Sequence, residues 1–406
     1  MDKQQELYQK YLKISSDLHD FTQNKIPLCA AETYVSDFVK APLSSEFEGK
    51  YCMGNRSYDP STDFIGSIYI HQLFDLLSET CKEIFNAKFS DARTLSGMNC
   101  MGITISSLLK PKSKVLLTTP DQGGHASVVL LLKLYDIEIQ SIPYDFIKRD
   151  IDYDKLNELL QNDNYDAIIF AQSDLINPAD VSKIKTDTLI IYDATQTFGM
   201  IASHIHKNPL DYKKNIVLIG GTHKTLPGPT SGLILSNNDA LIDILDVKIS
   251  PSYLRNVQPN NIASLLLALF EQMKFGKEYQ QEIIDNANYL GKKLEELGLT
   301  IAKIDKEKYT KTHQIFLLTD INTMNIVYNN AIKYGITLNK KSKPLFDGYG
   351  IRIGLQEITR YKWTHAQLDL LAKIILEITK NEPNGSFLVE SIKQLSAEKI
   401  NQYSYL

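Results

Sequence analysis

The chain has 406 residues, 43% hydrophobic and 23% charged, a composition that supports packed cores and excludes a disordered or fibrous chain. Its 44 basic and 48 acidic residues give a formal charge of -4, so no basic excess exists to hold a phosphate backbone and no nucleic-acid partner is expected. At ~150 residues per domain, the length suits two to three domains.

In chain order, residues 3–22 place Leu7, Tyr11, Leu12, Ile14 and Leu18 on one stripe, which predicts an amphipathic helix packed on a neighbour. These first residues hold neither an apolar nor an Arg-rich targeting pattern, and no apolar run approaches the ~18 residues that span a bilayer. A cytoplasmic protein without a membrane partner is therefore expected. Residues 27–60, punctuated by Gly and Pro, read as loop, and Phe64 to Phe85 as helix. Cys29, Cys52, Cys81 and Cys100 form no CxxC pair and have no histidine at metal spacing, which points to reduced thiols and no metal site.

Short apolar runs then recur at Val115–Thr118, Ile137–Ile142, Ala167–Ala171, Leu189–Tyr192, Ile216–Ile219 and Gly232–Leu235. Runs apolar on both faces and joined by crossovers predict an α/β fold with a mostly parallel sheet flanked by helices. A long helix from Asn261 to about Leu297 leads into a second pattern. There Gln314–Leu318, Ile336–Asn339 and Ile351–Gly354 read as strands, and Ala366–Thr379 and Val389–Ile400 as helices. The expected division is an N-terminal helix (1–25), a large domain (26–260) and a smaller α+β C-terminal domain (261–406).

Ligands of such sheets sit beyond the carboxyl ends of the strands. Lys224 follows the run Ile216–Ile219 within Gly220-Gly221-Thr222-His223-Lys224, where lost hydration would lower its pKa and make it a Schiff-base nucleophile. An ordinary surface-turn lysine is the alternative. Asp193 ends the run at Leu189, 31 residues before Lys224, so the two could occupy neighbouring strand ends. A carboxylate there suits a pyridinium nitrogen, although aspartate is also a common helix cap. Ser96-Gly97-Met98 opens a helix whose free N–H groups suit an anion, and His125 follows two glycines, where it could lie flat on a ring.

Together these residues resemble the serine hydroxymethyltransferase family. The most specific segment is Thr222-His223-Lys224-Thr225-Leu226-Pro227-Gly228-Pro229, supported by Ala30-Ala31-Glu32-Thr33, Glu48 to Tyr58, Gly123-Gly124-His125 and Gly350-Ile351-Arg352-Ile353-Gly354. The resemblance implies a fold type I architecture, pyridoxal 5'-phosphate as cofactor and a small amino-acid substrate. It implies that Lys224 forms the internal aldimine, that Asp193 pairs with the pyridine nitrogen and that His125 stacks on the ring. Ser96, Gly97, Met98 and His223 would hold the phosphate, with Ser173 near the phenolic oxygen and Gln196 beside the cofactor. Arg352 would clamp the substrate carboxylate, with Ala31 and Tyr58 also on the substrate. Glu48 would be the general acid/base, supplied by the second subunit of a homodimer with shared active sites.

The sequence departs from the family pattern at several points. Phe47 stands where a tyrosine is expected, Gln196 where a histidine is, and Thr230 where an arginine is. Ser252 to Gln258 lacks a glycine pair, Leu355-Gln356-Glu357 replaces TPA, and Ala126-Ser127-Val128 follows His125 where folate would pack. The resemblance implies tetrahydrofolate as a possible second cofactor, and several of these losses cluster on the folate and substrate side, which argues against it. Aldol-type Cα–Cβ cleavage or formation is the leading expectation. A hydroxymethyltransferase, another reaction of the same cofactor (transamination, racemisation, decarboxylation) and a non-catalytic relative remain open.

Overall fold

The six apolar runs and the segment Phe89–Asp91 join into one seven-stranded sheet in the computed structural model, which describes residues 2–405. The strands are β1 (Phe89–Asp91), β2 (Lys114–Leu117), β3 (Glu138–Ser141), β4 (Ala167–Phe170), β5 (Leu189–Asp193), β6 (Ile216–His223) and β7 (Pro227–Ser236). Their spatial order is β1-β7-β6-β5-β4-β2-β3. All pairs from β6 to β3 are parallel, whereas β7 runs antiparallel to both neighbours.

The period of two along these strands divides the large domain into two cores. Ile168, Ile190 and Leu218 face one core with Phe85 and Leu265. Ile169, Ile191 and Val217 face the other with Ile103 and Val128. Burial on both faces explains why the runs of β2, β4, β5 and β6 lack polar alternation, whereas β3, at the sheet edge, alternates and is only partly buried. The predicted run Gly232–Leu235 is only the regular end of β7, which begins at Pro227 and contains a register shift before Gly232.

The helices include α1 (Lys3–Asn24), α2 (Gly97–Leu108), α3 (Ala126–Leu134) and α4 (Pro259–Glu296), of which α2 and α3 begin at the site. With 38 residues, α4 extends roughly 57 Å at 1.5 Å per residue. Its first half gives Ile262, Leu265 and Leu269 to the large domain's core. Its second half gives Leu290 and Leu294 to a separate core with Ile353, Leu371 and Ile375. That second core lies against β8 (Gln314–Thr319), β9 (Asn339–Lys343) and β10 (Gly348–Gly354), an antiparallel sheet in the order β8-β10-β9.

Three elements differ from expectation. The run Ile336–Asn339 splits: Ile336–Thr337 pairs in parallel with Ile26–Pro27, and Asn339 opens β9. Ile26 and Leu28 accordingly belong to the C-terminal core. Within residues 27–60, Ser36 caps a short helix at Asp37–Lys40. The stripe on α1 is not packed within this chain: no residue of α1 is buried, and Ile14 and Leu18 are 67% and 63% exposed. Among the described residues, no helix is long and apolar enough to cross a membrane.

Candidate active site

Parallel strands bring their carboxyl ends to one edge, and the expected residues converge there. Ser96, Gly97, Met98, His125, Ser173, Asp193, Gln196, His223 and Lys224 line a single cavity of about 210 Å³. Asp193 pairs in register with Ile219, so the carboxylate and Lys224 occupy the ends of adjacent strands. Lys224 lies in the short connection where β6 turns into β7, with His223 paired to Pro227 across it.

Gly123 and Gly124 allow the His125 loop to approach these strand ends. Gly123 has φ +89°, and a Cβ on Gly124 would meet the Thr118 carbonyl oxygen at 1.9 Å. The loop is pinned where the His125 N–H donates to the Ala171 carbonyl at 2.8 Å and the Ser173 N–H to the Gly123 carbonyl at 2.8 Å. His125 also caps α3, its Nδ1 accepting from the Ser127 N–H at 3.3 Å.

The electrostatics follow from burial. Burial lowers the Lys224 pKa to about 8; Asp193 opposes this and Arg352 reinforces it. Asp193 is pushed above the ordinary carboxylate range, again chiefly by burial, with Thr195 hydrogen bonds and the Lys224 charge pulling it back. Burial also lowers the His125 and His223 pKa values. Thr195, not anticipated from the sequence, fixes the carboxylate: its N–H donates to Asp193 Oδ1 at 2.9 Å, and its hydroxyl donates to the same oxygen. The Thr195 hydroxyl also accepts from the Gly221 N–H at 2.8 Å, which ties β5 to β6.

The residues fit pyridoxal phosphate on several grounds. Asp193 carries a buried carboxyl that a protonated ring nitrogen would satisfy. His223 Nδ1 is a buried nitrogen without a hydrogen-bond partner. Gly97 opens α2 against β6, where an added Cβ would meet the Gly221 nitrogen at 2.7 Å, so its side of the helix start is bare backbone, suited to an anion.

Arg352 lies outside the cavity lining but bonds to its rim. NH1 donates to the Ser173 carbonyl at 2.9 Å and to Asp174 Oδ1 at 2.7 Å, and NH2 donates to Asn339 Oδ1 at 2.8 Å. Of a guanidinium's five N–H donors these take three, and Nε is buried without a partner. Ala31 is half-buried in a segment held against the end of β10, where the Gly354 N–H donates to the Leu28 carbonyl at 2.8 Å. Cys29 lies close enough to influence Lys224 electrostatically. Gln196 accepts from Gln314 Nε2 at 3.2 Å, and the same amide nitrogen donates to the Ser173 carbonyl at 3.1 Å.

Glu48 and Tyr58 are not brought to this cavity. Glu48 is exposed in a separate depression with Tyr51 and Gln258, accepting from Asn260. Tyr58 is half-buried with its ring 5.8 Å from that of His71. Thr195, Asp174, Asn339 and Gln314 were missed by sequence reasoning. Asp174, adjacent to Ser173, and Thr195, between Asp193 and Gln196, carried a positional signal just beyond strand ends.

Comparison with known proteins agrees with this geometry. The serine hydroxymethyltransferase family profile matches residues 6–375. The serine hydroxymethyltransferase of Picrophilus torridus is 29% identical over 398 residues, covering 92% of this chain and 90% of that protein. The fluorothreonine transaldolase of Streptantibioticus cattleyicolor is 27% identical over 372 residues, covering 88% of this chain and 58% of that protein. Among solved structures, the L-threonine transaldolase of Pseudomonas fluorescens superposes with a TM-score of 0.89 at 23% identity, covering 99% of this chain and 95% of that one. A strand-end lysine and aspartate in one cavity, within a profile match that spans most of the chain, place this protein in the serine hydroxymethyltransferase family.

Proposed function

We propose that this protein, a pyridoxal-phosphate-dependent enzyme of aldol-type Cα–Cβ chemistry, works on a small β-hydroxy amino acid without requiring tetrahydrofolate. The observation that carries the reading is the convergence of Lys224, Asp193 and His125 on one cavity with Arg352 bonded to its rim. When bound, the cofactor withdraws electrons from the substrate's α-carbon, so that a bond to that carbon can break.

The chain's own residues supply the rest. Lys224, with a pKa of about 8, offers a neutral amine at mildly alkaline pH to hold the cofactor. Asp193, oriented by Thr195, holds the proton of the ring nitrogen. The free N–H groups at the start of α2 and His223 would hold the phosphate, and His125, which lines the same cavity, would stack on the ring. Arg352 presents Nε and its remaining NH2 hydrogen to the amino-acid carboxylate. In cleavage, a base takes the β-hydroxyl proton and the aldehyde departs as the Cα–Cβ bond breaks. Glu48 performs that step from a second copy of the chain, a reading supported by its exposure and by the uncovered stripe of α1. The four buried free thiols suit a cytoplasmic setting.

The relatives named for threonine and fluorothreonine transaldol reactions, together with the departures on the folate side, support folate independence. The test is threonine cleavage to glycine and acetaldehyde by the cofactor-loaded protein. Cleavage proceeds without tetrahydrofolate and is lost in Lys224→Ala; strong folate stimulation with serine would instead establish a hydroxymethyltransferase. Mixing inactive Lys224→Ala with inactive Glu48→Gln restores activity if sites are shared between subunits. No recovery would place the base within one chain.

A further inference from the structure

Three cations converge on one carboxylate beside the cavity. Asp174, whose side chain is fully buried, accepts from Arg352 NH1 at 2.7 Å and from Lys343 Nζ at 2.7 Å, and pairs with Lys341 Nζ at 2.9 Å. Among the described residues, none of these cations pairs with any other carboxylate. The cluster therefore carries two positive charges in excess. Their side chains are only 21%, 16% and 6% exposed for Lys341, Lys343 and Arg352. Holding uncompensated cations out of water is costly unless something repays their lost hydration.

The strand geometry explains how the cluster forms. Side chains alternate across a strand, so Asn339, Lys341 and Lys343 on β9 share one face, half-buried, while Lys340 and Ser342 face outward, exposed. The inward face meets β10, where Asn339 pairs with Arg352 in register and accepts its NH2. Asp174 follows Ser173 of the cavity lining, and the Lys341 charge reaches His125, so the cluster borders the cavity. The Arg352 side chain is 6% exposed and its Nε has no partner, which leaves it a donor for the α-carboxylate next to the two lysines.

We propose that Lys341 and Lys343 form an anion subsite beside Arg352, so that the preferred substrate is a β-hydroxy amino acid whose side chain carries a carboxylate or phosphate. This rests on the aldol reading above. In that reaction the side chain of the amino acid is the aldehyde: the Cα–Cβ bond forms from the α-carbon's electron pair, and the carbonyl oxygen takes a proton. The anionic group therefore belongs equally to the aldehyde partner. Arg352 takes the α-carboxylate, and the two lysines take the second anion as point charges. Asp174 holds all three cations in place between turnovers and keeps its own proton off, its pKa being lowered to about 2.

The test is calorimetric titration of the cofactor-loaded protein with propionate, succinate and 3-phosphopropionate. The dianions bind about tenfold or more tightly than the monoanion, the effect of at least one charge-assisted hydrogen bond. Lys341→Ala/Lys343→Ala abolishes that preference, Lys341→Arg/Lys343→Arg retains it, and Lys340→Ala on the outward face leaves it intact. Succinate against 3-phosphopropionate tells a carboxylate subsite from a phosphate one. Equal binding of monoanion and dianion by the wild type, or a preference that survives the double alanine variant, overturns the proposal. Because binding is read without turnover, an absence of cleavage of both threonine and β-hydroxyaspartate would refute the aldol reading and leave this result standing.

Discussion

At the scale of single residues, the chemistry depends on what burial does to ordinary side chains. An exposed lysine is almost fully protonated below pH 9, whereas Lys224 titrates at about 8 because its charged form is poorly hydrated. The rate of pyridoxal phosphate attachment should therefore rise with pH up to about 8 and level off above it, since the neutral amine is the attacking form. Stopped-flow absorbance checks this; a rate still climbing in proportion to hydroxide above pH 9 contradicts it. Position alone would not have marked Lys224 and Asp193; they were legible in the sequence because each lies at the end of an apolar strand and Lys224 sits in the specific segment Thr222–Pro229. Thr195 was not, because its role lies in two hydrogen bonds to a carboxylate two residues away and one to the next strand. Asp174 and Arg352 are 178 residues apart in sequence, and no local pattern announces that pairing.

At the scale of elements, the loop and strand ends set the cavity's shape. Gly124 packs so closely on the Thr118 carbonyl that a methyl group would force the His125 loop away from β2. Gly124→Ala is expected to cost about 1–3 kcal/mol, the usual range for overpacking, and to weaken cofactor binding. Urea midpoints together with a cofactor titration measure both; an unchanged midpoint and affinity would mean that the loop relaxes freely. The central large-domain strands were legible because burial on both faces leaves an unbroken apolar run, whereas β1, Phe89-Ser90-Asp91, is too short and polar to show one. β9 was legible only at its first residue. Its Asn-Lys-Lys-Ser-Lys sequence has no apolar alternation, and its inward face is polar because it meets Asp174 and Arg352 rather than a hydrophobic core.

At the scale of the whole molecule, α4 couples the two halves, and a buried ion pair fastens the joint. Glu271 on α4 accepts from Arg360 NH2 at 3.3 Å and from the Ser36 hydroxyl at 2.7 Å, and both charged side chains are 1% exposed. Glu271→Ala strands the guanidinium without its counter-charge and is expected to cost about 3–5 kcal/mol. Chemical denaturation of the variant, followed with probes in each half, checks it. Loss of less than about 1 kcal/mol would mean that water reaches the pair. The long helix was legible from its apolar periodicity, whereas the Glu271–Arg360 contact was not, being set by how the second core folds back on α4. The stripe of α1 was legible as a stripe, but its apolar residues stay exposed on this chain.

If Lys224 carries the cofactor, borohydride reduction of the loaded protein followed by peptide mass spectrometry finds a stable pyridoxyl adduct on Lys224 and none on Lys341 or Lys343, despite their partial burial. An adduct on a different lysine, or none on the peptide that contains Lys224, would contradict that assignment.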